Sequence, residues 1–203
     1  MSTSPLCFDP YVIHNLIGNR ILDVGCGYGK WGFLIKKYLD HPYVVGIDAF
    51  EPHTHSARQL NVYDELLSAS AIALPFADKS FDSAVACEII EHLPREHGPL
   101  LIQELRRVCR SCFVVSTPNF DCLRDGHMTL DGFNPHEAHK YIYSYDNFRS
   151  LGFTQIIGLG NMQLPKYRLG VAASSLGLFF PSRSAYLMGF WFGDGKKRLV
   201  YAV

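Results

Sequence analysis

Arg20-Ile-Leu-Asp-Val-Gly-Cys-Gly-Tyr-Gly-Lys30 is a short apolar run that meets a glycine-rich turn and then the start of a helix. Ile21, Leu22 and Val24 are what a central parallel strand, covered on both faces, requires. Gly25, Gly27 and Gly29 remove the side chains that would keep a ligand off the backbone. A helix predicted from about Lys30 to Leu39 presents its free N–H groups to whatever occupies the turn. The spacing narrows the choice of ligand. A dinucleotide-binding turn reads G-x-G-x-x-G and faces a pyrophosphate; here an acid, Asp23, precedes Gly25-x-Gly27-x-Gly29. An acid repels a pyrophosphate and suits a cation or an ammonium.

Tyr43-Val-Val-Gly-Ile-Asp48 is a second apolar strand, ending in an acid about 20 residues after the glycines, where a carboxylate can accept both hydroxyls of a ribose. The same Asp can also cap the next helix. Ser83-Ala-Val-Ala-Cys-Glu88 and Phe113-Val-Val-Ser-Thr-Pro-Asn119 are further strands, and Leu100 to Val108 carries apolar residues at helical spacing. From a first helix near Pro10 to Ile17 onward to Pro118, strands and helices alternate with short connections. That alternation predicts an α/β fold with a parallel sheet, helices on both faces and a ligand beyond the carboxyl ends of the strands.

These blocks, in this order across residues 20–119, resemble the class I S-adenosylmethionine-dependent methyltransferases of the small-molecule type. The resemblance implies a Rossmann-like, seven-stranded, mostly parallel sheet and S-adenosyl-L-methionine as cofactor. It places Asp23, Gly25, Cys26 and Gly27 at the methionine end, Asp48 and Ala49 at the ribose, and Cys87 and Glu88 at the end of strand four. Ser70 to Asp82 matches the stretch that lies along the adenine. Family members often carry an acid where Ser70 stands, so Ser70 or the backbone of Ala71 and Ile72 is expected to serve instead. Ser144 to Phe153 resembles the helix that leads into strand six. Lys197 to Val203 is expected to form the seventh strand, antiparallel at the far side.

Residues 1–203 therefore read as one domain, with a cofactor-binding core at 20–119 and an acceptor-side loop and C-terminal strands at 120–203. Phe120 to Tyr143 is rich in Asp, Gly, His and Asn without a clear period, long for a connection, and is expected to cover the acceptor. Methyl transfer needs a base only where the acceptor must lose a proton. His92, His127, His136 and His139 are the candidates, and His92, just past strand four, is the best placed. The expected acceptor is a small or lipid-like molecule.

Two other readings stand beside this one. Glu88-Ile-Ile-Glu-His92 with His136-Glu-Ala-His139 also resembles the small-RNA 3′-end 2′-O-methyltransferases, which would make Glu88, Glu91, His92 and either His136 or His139 ligands of a divalent metal. A methyltransferase fold can also persist as a cofactor-binding or interaction subunit without turnover.

At 203 residues, 48% hydrophobic and 19% charged, the chain has ample core for a globular fold. Nineteen basic and nineteen acidic residues cancel, which argues against nucleic acid as a partner because no broad positive field is available. Met1-Ser-Thr-Ser-Pro5 has neither a charged n-region nor an apolar h-region, so the expected location is cytoplasmic. The six cysteines match no disulfide framework. Cys109-Arg-Ser-Cys112 lacks a second ligand pair and is expected to be a turn before strand five, while Cys26 and Cys87 are expected to pack near the cofactor rather than act as nucleophiles. Leu169 to Phe192 is apolar and aromatic, but Pro181 and Arg183 interrupt it, so it fails as a membrane span. Core packing or a lid is the expectation, with a surface for lipid or a hydrophobic acceptor as the alternative.

Overall fold

The computed structural model describes residues 8–119, 125–164, 167–168 and 181–193. Strands β1 (Arg20–Val24), β2 (Tyr43–Asp48), β3 (Glu65–Ser68), β4 (Phe81–Cys87) and β5 (Cys109–Pro118) lie parallel in the order β3-β2-β1-β4-β5. The order reverses between β1 and β4, and a doubly wound sheet opens its ligand crevice at that reversal.

Each central strand is apolar on both sides because both sides are covered. Ile21, Val44, Val85 and Val114 face one core, where α1 (Asp9–Asn15) and α2 (Lys30–Tyr38) contribute Val12, Trp31 and Ile35. Leu22, Val45, Ala84 and Val115 face the other, with Leu101, Leu105 and Val108 of α4 (Gly98–Val108) and Phe148 of α5 (Tyr145–Ser150). Helix α3 (Glu51–Arg58) follows β2. The i, i+4 pair Leu101 and Leu105 is fully buried, and each such side chain contributes about 1.5–3 kcal/mol.

Beyond β5 the chain departs from the expected layout. Residues 127–134 are an antiparallel hairpin, β6 (His127–Thr129) with β7 (Gly132–Asn134), outside the main sheet. Tyr28 Oη accepts from the Leu130 N–H at 3.1 Å, and Ser56 Oγ donates to the Asp131 carboxylate, tying the hairpin over the glycine turn and α3. A two-residue turn and its local bonds gave no long period to read. Strand β8 (Gln155–Leu164) follows α5 and pairs with the two-residue β9 (Tyr167–Arg168).

The antiparallel strand is β10 (Ser184–Phe192), and it lies between β5 and β8 rather than at the far side. The stretch expected to supply that strand, 197–203, falls outside the described residues, as does 169–180 of the apolar segment. Residues 184–192 are core: Leu187, Met188 and Phe190 are buried, and the Trp191 ring stacks on Phe113 at 5.0 Å. Apart from β9, the sheet has the expected seven strands. Among the described residues no helix is long and apolar enough to cross a membrane.

Cys109 and Cys112 lie inside β5, not in a turn before it. Side chains three apart on a strand point to opposite faces, and the two thiols enter the two different cores. Cys112 donates to the Asn15 carbonyl at 3.2 Å. The pair cannot share a metal.

Candidate functional site

The residues that follow β1, β2, β3 and β4 open together on a cavity of about 620 Å³. Gly25, Cys26 and Gly27 form its floor, Asp48 and Ala49 one wall, Ser70, Ala71 and Ile72 a second, and Cys87 and Glu88 a third. Ten of the eleven residues expected at the site, all except Asp23, therefore line this cavity, His92 included.

The glycine turn is built onto β2. The N–H groups of Gly25 and Cys26 both donate to the Ile47 carbonyl, at 2.8 and 2.9 Å. Gly25 takes a φ of +73°, where a Cβ would fall 1.9 Å from Ile89 Cδ1. At Gly27 a Cβ would meet nothing within 4 Å; its open side faces the cavity and leaves the backbone accessible to a ligand.

Asp48 is held in place before any ligand arrives. Its Oδ2 accepts from the Gly27 N–H at 2.9 Å and its Oδ1 from the Phe50 N–H at 2.9 Å. It does not cap α3, whose N-cap Phe50 has no side-chain cap bond; it joins the first turn to the second. Two lone-pair sites remain on an acceptor with about four. His53 of α3 stands beside it, Nδ1 at 3.5 Å from Asp48 Oδ2, with its ring between Tyr28 and Phe50. His53 Nε2 is buried, borders the cavity and has no hydrogen-bond partner. Sequence reasoning passed over His53, since a histidine in the polar first turn of a helix carries no distinguishing pattern.

Asp23 is the exception to the expected lining. It is fully buried beneath the turn, and Tyr63 Oη donates to its Oδ2 at 2.6 Å while its Oδ1 is unpartnered. Burial raises its pKa to about 7, against the opposing Tyr63 hydrogen bond and with help from the Asp48 charge. Tyr63 sits in the short loop before β3, and a lone tyrosine there gives no signal in sequence. Burial also pushes the Cys26 thiol up, with the Asp23 and Asp48 carboxylates adding to it, and burial does the same at Cys87. Both side chains are buried.

The second wall is pinned from behind. Arg107 donates to the carbonyls of Leu74 and Phe76 at 3.0 and 2.7 Å, and Glu104 accepts from the Leu74 N–H at 2.7 Å. Helix α4 thus fixes the loop that carries Ser70 to Ile72. Within that loop Ser70 Oγ accepts from the Ile72 N–H at 3.4 Å, so the serine supports the backbone it was expected to complement.

Glu88 borders the cavity in a left-handed conformation, φ +57°, and its Oε1 accepts from Ser116 Oγ at 2.8 Å. Burial raises its pKa, opposed by the Ser116 bond and by Lys30. On the outer side of the cavity stand His92, His97, Asn134, His136, Glu137 and Lys140. Of the four candidate bases, His92 and His136 reach it; His127 is exposed on the hairpin, and His139 lies against His92 with ring centroids 4.7 Å apart. Of the residues expected in a metal-dependent site, Glu91, His92 and His139 come together, while Glu88 turns to Ser116 and His136 stays apart.

An S-adenosylmethionine fits these residues on two observations. The empty side of Gly27 leaves a cradle against the cavity floor, and His53 Nε2 is a buried polar atom without a partner next to the carboxylate suited to a ribose.

Residues 21–111 match the family model described as a methyltransferase domain. Over 86 residues the chain is 40% identical to an O-methyltransferase of Aspergillus nomiae, covering 37% of this chain and 36% of that protein. Over 158 residues it is 30% identical to an O-methyltransferase of Aspergillus sclerotiorum, covering 68% of this chain and 58% of that one. The chain thus spans less than two thirds of the length of these relatives. A solved S-adenosylmethionine-dependent methyltransferase from Archaeoglobus fulgidus shares the fold, with a TM-score of 0.59 and 19% identity over 92% of this chain and 90% of that one.

Proposed function

This chain belongs to the class I S-adenosylmethionine-dependent methyltransferases, and from that premise we propose that it binds S-adenosylmethionine in the cavity above β1 and β4 and transfers its methyl group to a small-molecule acceptor. The observation that carries the reading is Asp48, oriented by two backbone amides at the cavity wall with His53 beside it. In this reading Asp48 and His53 hold the ribose hydroxyls, and Gly25 and Gly27 let the methionine end lie against the backbone. Ala71 and Ile72 flank the adenine.

The cofactor supplies a sulfonium-bound methyl group, and the protein's task is alignment. Holding two reactants in an attack geometry contributes on the order of 7–11 kcal/mol, and the pinned walls described above are suited to it. Asp23 remains beneath the turn as a buried acid facing the cationic end of the cofactor. In this reading the acceptor takes the outer half of the cavity, beside His92, His97, His136 and Lys140, and His92 acts on it. Two relatives named as O-methyltransferases support an oxygen as the atom methylated.

Calorimetric titration with S-adenosylhomocysteine tests the reading. We expect one site with Kd near micromolar, about −8 kcal/mol. No heat of binding at millimolar ligand would overturn it.

A further inference from the structure

The hairpin leads straight into a segment that borders the outer half of the cavity, and that segment is fixed at both ends. At its start Asn134, which is buried, accepts from the His136 N–H at 2.9 Å through its Oδ1. At its end the N–H groups of Lys140 and Tyr141 both donate to the Glu91 carbonyl, at 2.8 and 3.3 Å. His136 and Lys140 are thereby set on the same cavity, where His97, just before α4, also stands.

Lys140 brings the permanent positive charge of this rim, and among the described residues neither a carboxylate nor a carbonyl pairs with its ammonium. Other cations are answered within the chain. Lys30 Nζ lies 2.6 Å from Asp9 Oδ1, Lys36 Nζ 2.8 Å from Asp64 Oδ2 and Arg110 Nη1 3.1 Å from Asp82 Oδ1, while Lys79 Nζ donates to the carbonyls of Arg106 and Cys109. Glu137, the acid on this side of the cavity, does not pair with Lys140. The ammonium is a compact point charge with three donors, and the imidazoles of His97 and His136 add N–H donors even when neutral.

We propose that the acceptor is a small molecule bearing a carboxylate, and that this carboxylate is its anchor, held by Lys140 with His97 and His136 as further donors. One permanent cation balances one negative charge, which favours a carboxylate over a phosphate dianion. An uncharged analogue forgoes the pairing, so the site selects by charge. Place separates this group from the cofactor's own carboxylate: the methionine end lies against the glycine floor, and Lys140 stands on the outer side. With the carboxylate anchored at the rim, the other end of the acceptor is left for His92. Calling the ligand an acceptor rests on the methyl-transfer reading above; the anion site rests on Lys140 and its segment.

The protein is titrated by ligand-observed NMR with two matched pairs of probes, benzoate against benzamide and hexanoate against hexanamide, with and without saturating S-adenosylhomocysteine. We expect each carboxylate to bind roughly ten-fold tighter than its amide. Lys140→Gln should abolish the preference by weakening the carboxylates alone, and Lys140→Arg should restore most of it. Lys140 is exposed, so neither substitution disturbs the core. The affinity for S-adenosylhomocysteine should be the same in Lys140→Gln as in the wild type; a loss of roughly ten-fold would assign the ammonium to the cofactor's carboxylate and overturn the proposal. Equal binding of acid and amide, a preference that survives Lys140→Gln, or phenyl phosphate binding more tightly than benzoate would overturn it as well. Cofactor binding without charge discrimination removes this proposal and leaves the methyl-transfer reading standing; charge discrimination without cofactor binding does the reverse and keeps the anion site.

Discussion

The Tyr63 hydroxyl donates to Asp23 Oδ2 at 2.6 Å, reaching beneath the glycine turn from the loop before β3. The same hydroxyl accepts from the Gly32 N–H at 3.2 Å, so one side chain ties β1 to the first turn of α2. Tyr63→Phe removes both bonds and deprives the Asp23 carboxyl of its hydroxyl donor. We expect a loss of about 1–3 kcal/mol of unfolding free energy, larger at pH 8, where Asp23 is ionised, than at pH 5. Urea denaturation at the two pH values measures it; an unchanged midpoint would mean the hydroxyl is replaced by water.

Asp23 itself makes stability depend on pH. Its folded-state pKa of about 7 lies above the ordinary 3.8, so across that window the folded chain keeps a proton that the unfolded chain has released. Stability then falls as pH rises from about 4 to 7, by up to about 1.4 kcal/mol per unit, and levels off above. Asp64, Asp82 and Glu104, with lowered pKa values, act in the opposite sense. The comparison of wild type with Asp23→Asn isolates the effect: the variant should gain on the wild type as pH increases. A constant difference would place Asp23 in its ionised form throughout.

Removing Asp48 tests the proposed ribose contact. Asp48→Ala should weaken S-adenosylhomocysteine by roughly 1.5–3 kcal/mol, the value of hydrogen bonds to a charged group. Calorimetry reads it directly, and unchanged affinity would mean that the ribose is held elsewhere.

Gly25 and Gly27 separate the two demands made on the turn. Gly25→Ala adds a Cβ 1.9 Å from Ile89 Cδ1 at a φ of +73°, so Ile89 must shift, and we expect lower stability and lower cofactor affinity together. Gly27→Ala meets no atom within 4 Å and bears only the left-handed backbone, about 1–2 kcal/mol. Its methyl group intrudes on the cavity, so affinity should fall further than stability. Thermal melts and calorimetry on both variants distinguish these outcomes.

The first half of the sheet was legible because its signals are local. Ile21 to Val24 and Tyr43 to Asp48 are continuous apolar runs, and a strand buried on both faces permits little else. The cavity residues were legible for the same reason: they follow those runs directly, where the chain must turn. What escaped notice depends on contacts far apart in sequence. Tyr63 meets Asp23 and Arg107 meets Leu74 only after the fold has formed. The antiparallel strand was misplaced because Ser184 to Phe192 reads equally as a lid or a core; its partners on β5 and β8 are not visible in a window of nine residues.

The position of β10 governs the order in which the sheet can close. Strand β8 reaches the parallel half only through a strand made later, so during synthesis the edge of β5 stays open until residue 192 has emerged, and β8 has no neighbour on that side. Such late, non-local pairing slows folding and exposes an unpaired edge to other chains. The nascent protein is therefore most vulnerable to aggregation just before its last described strand slides between the two that wait for it.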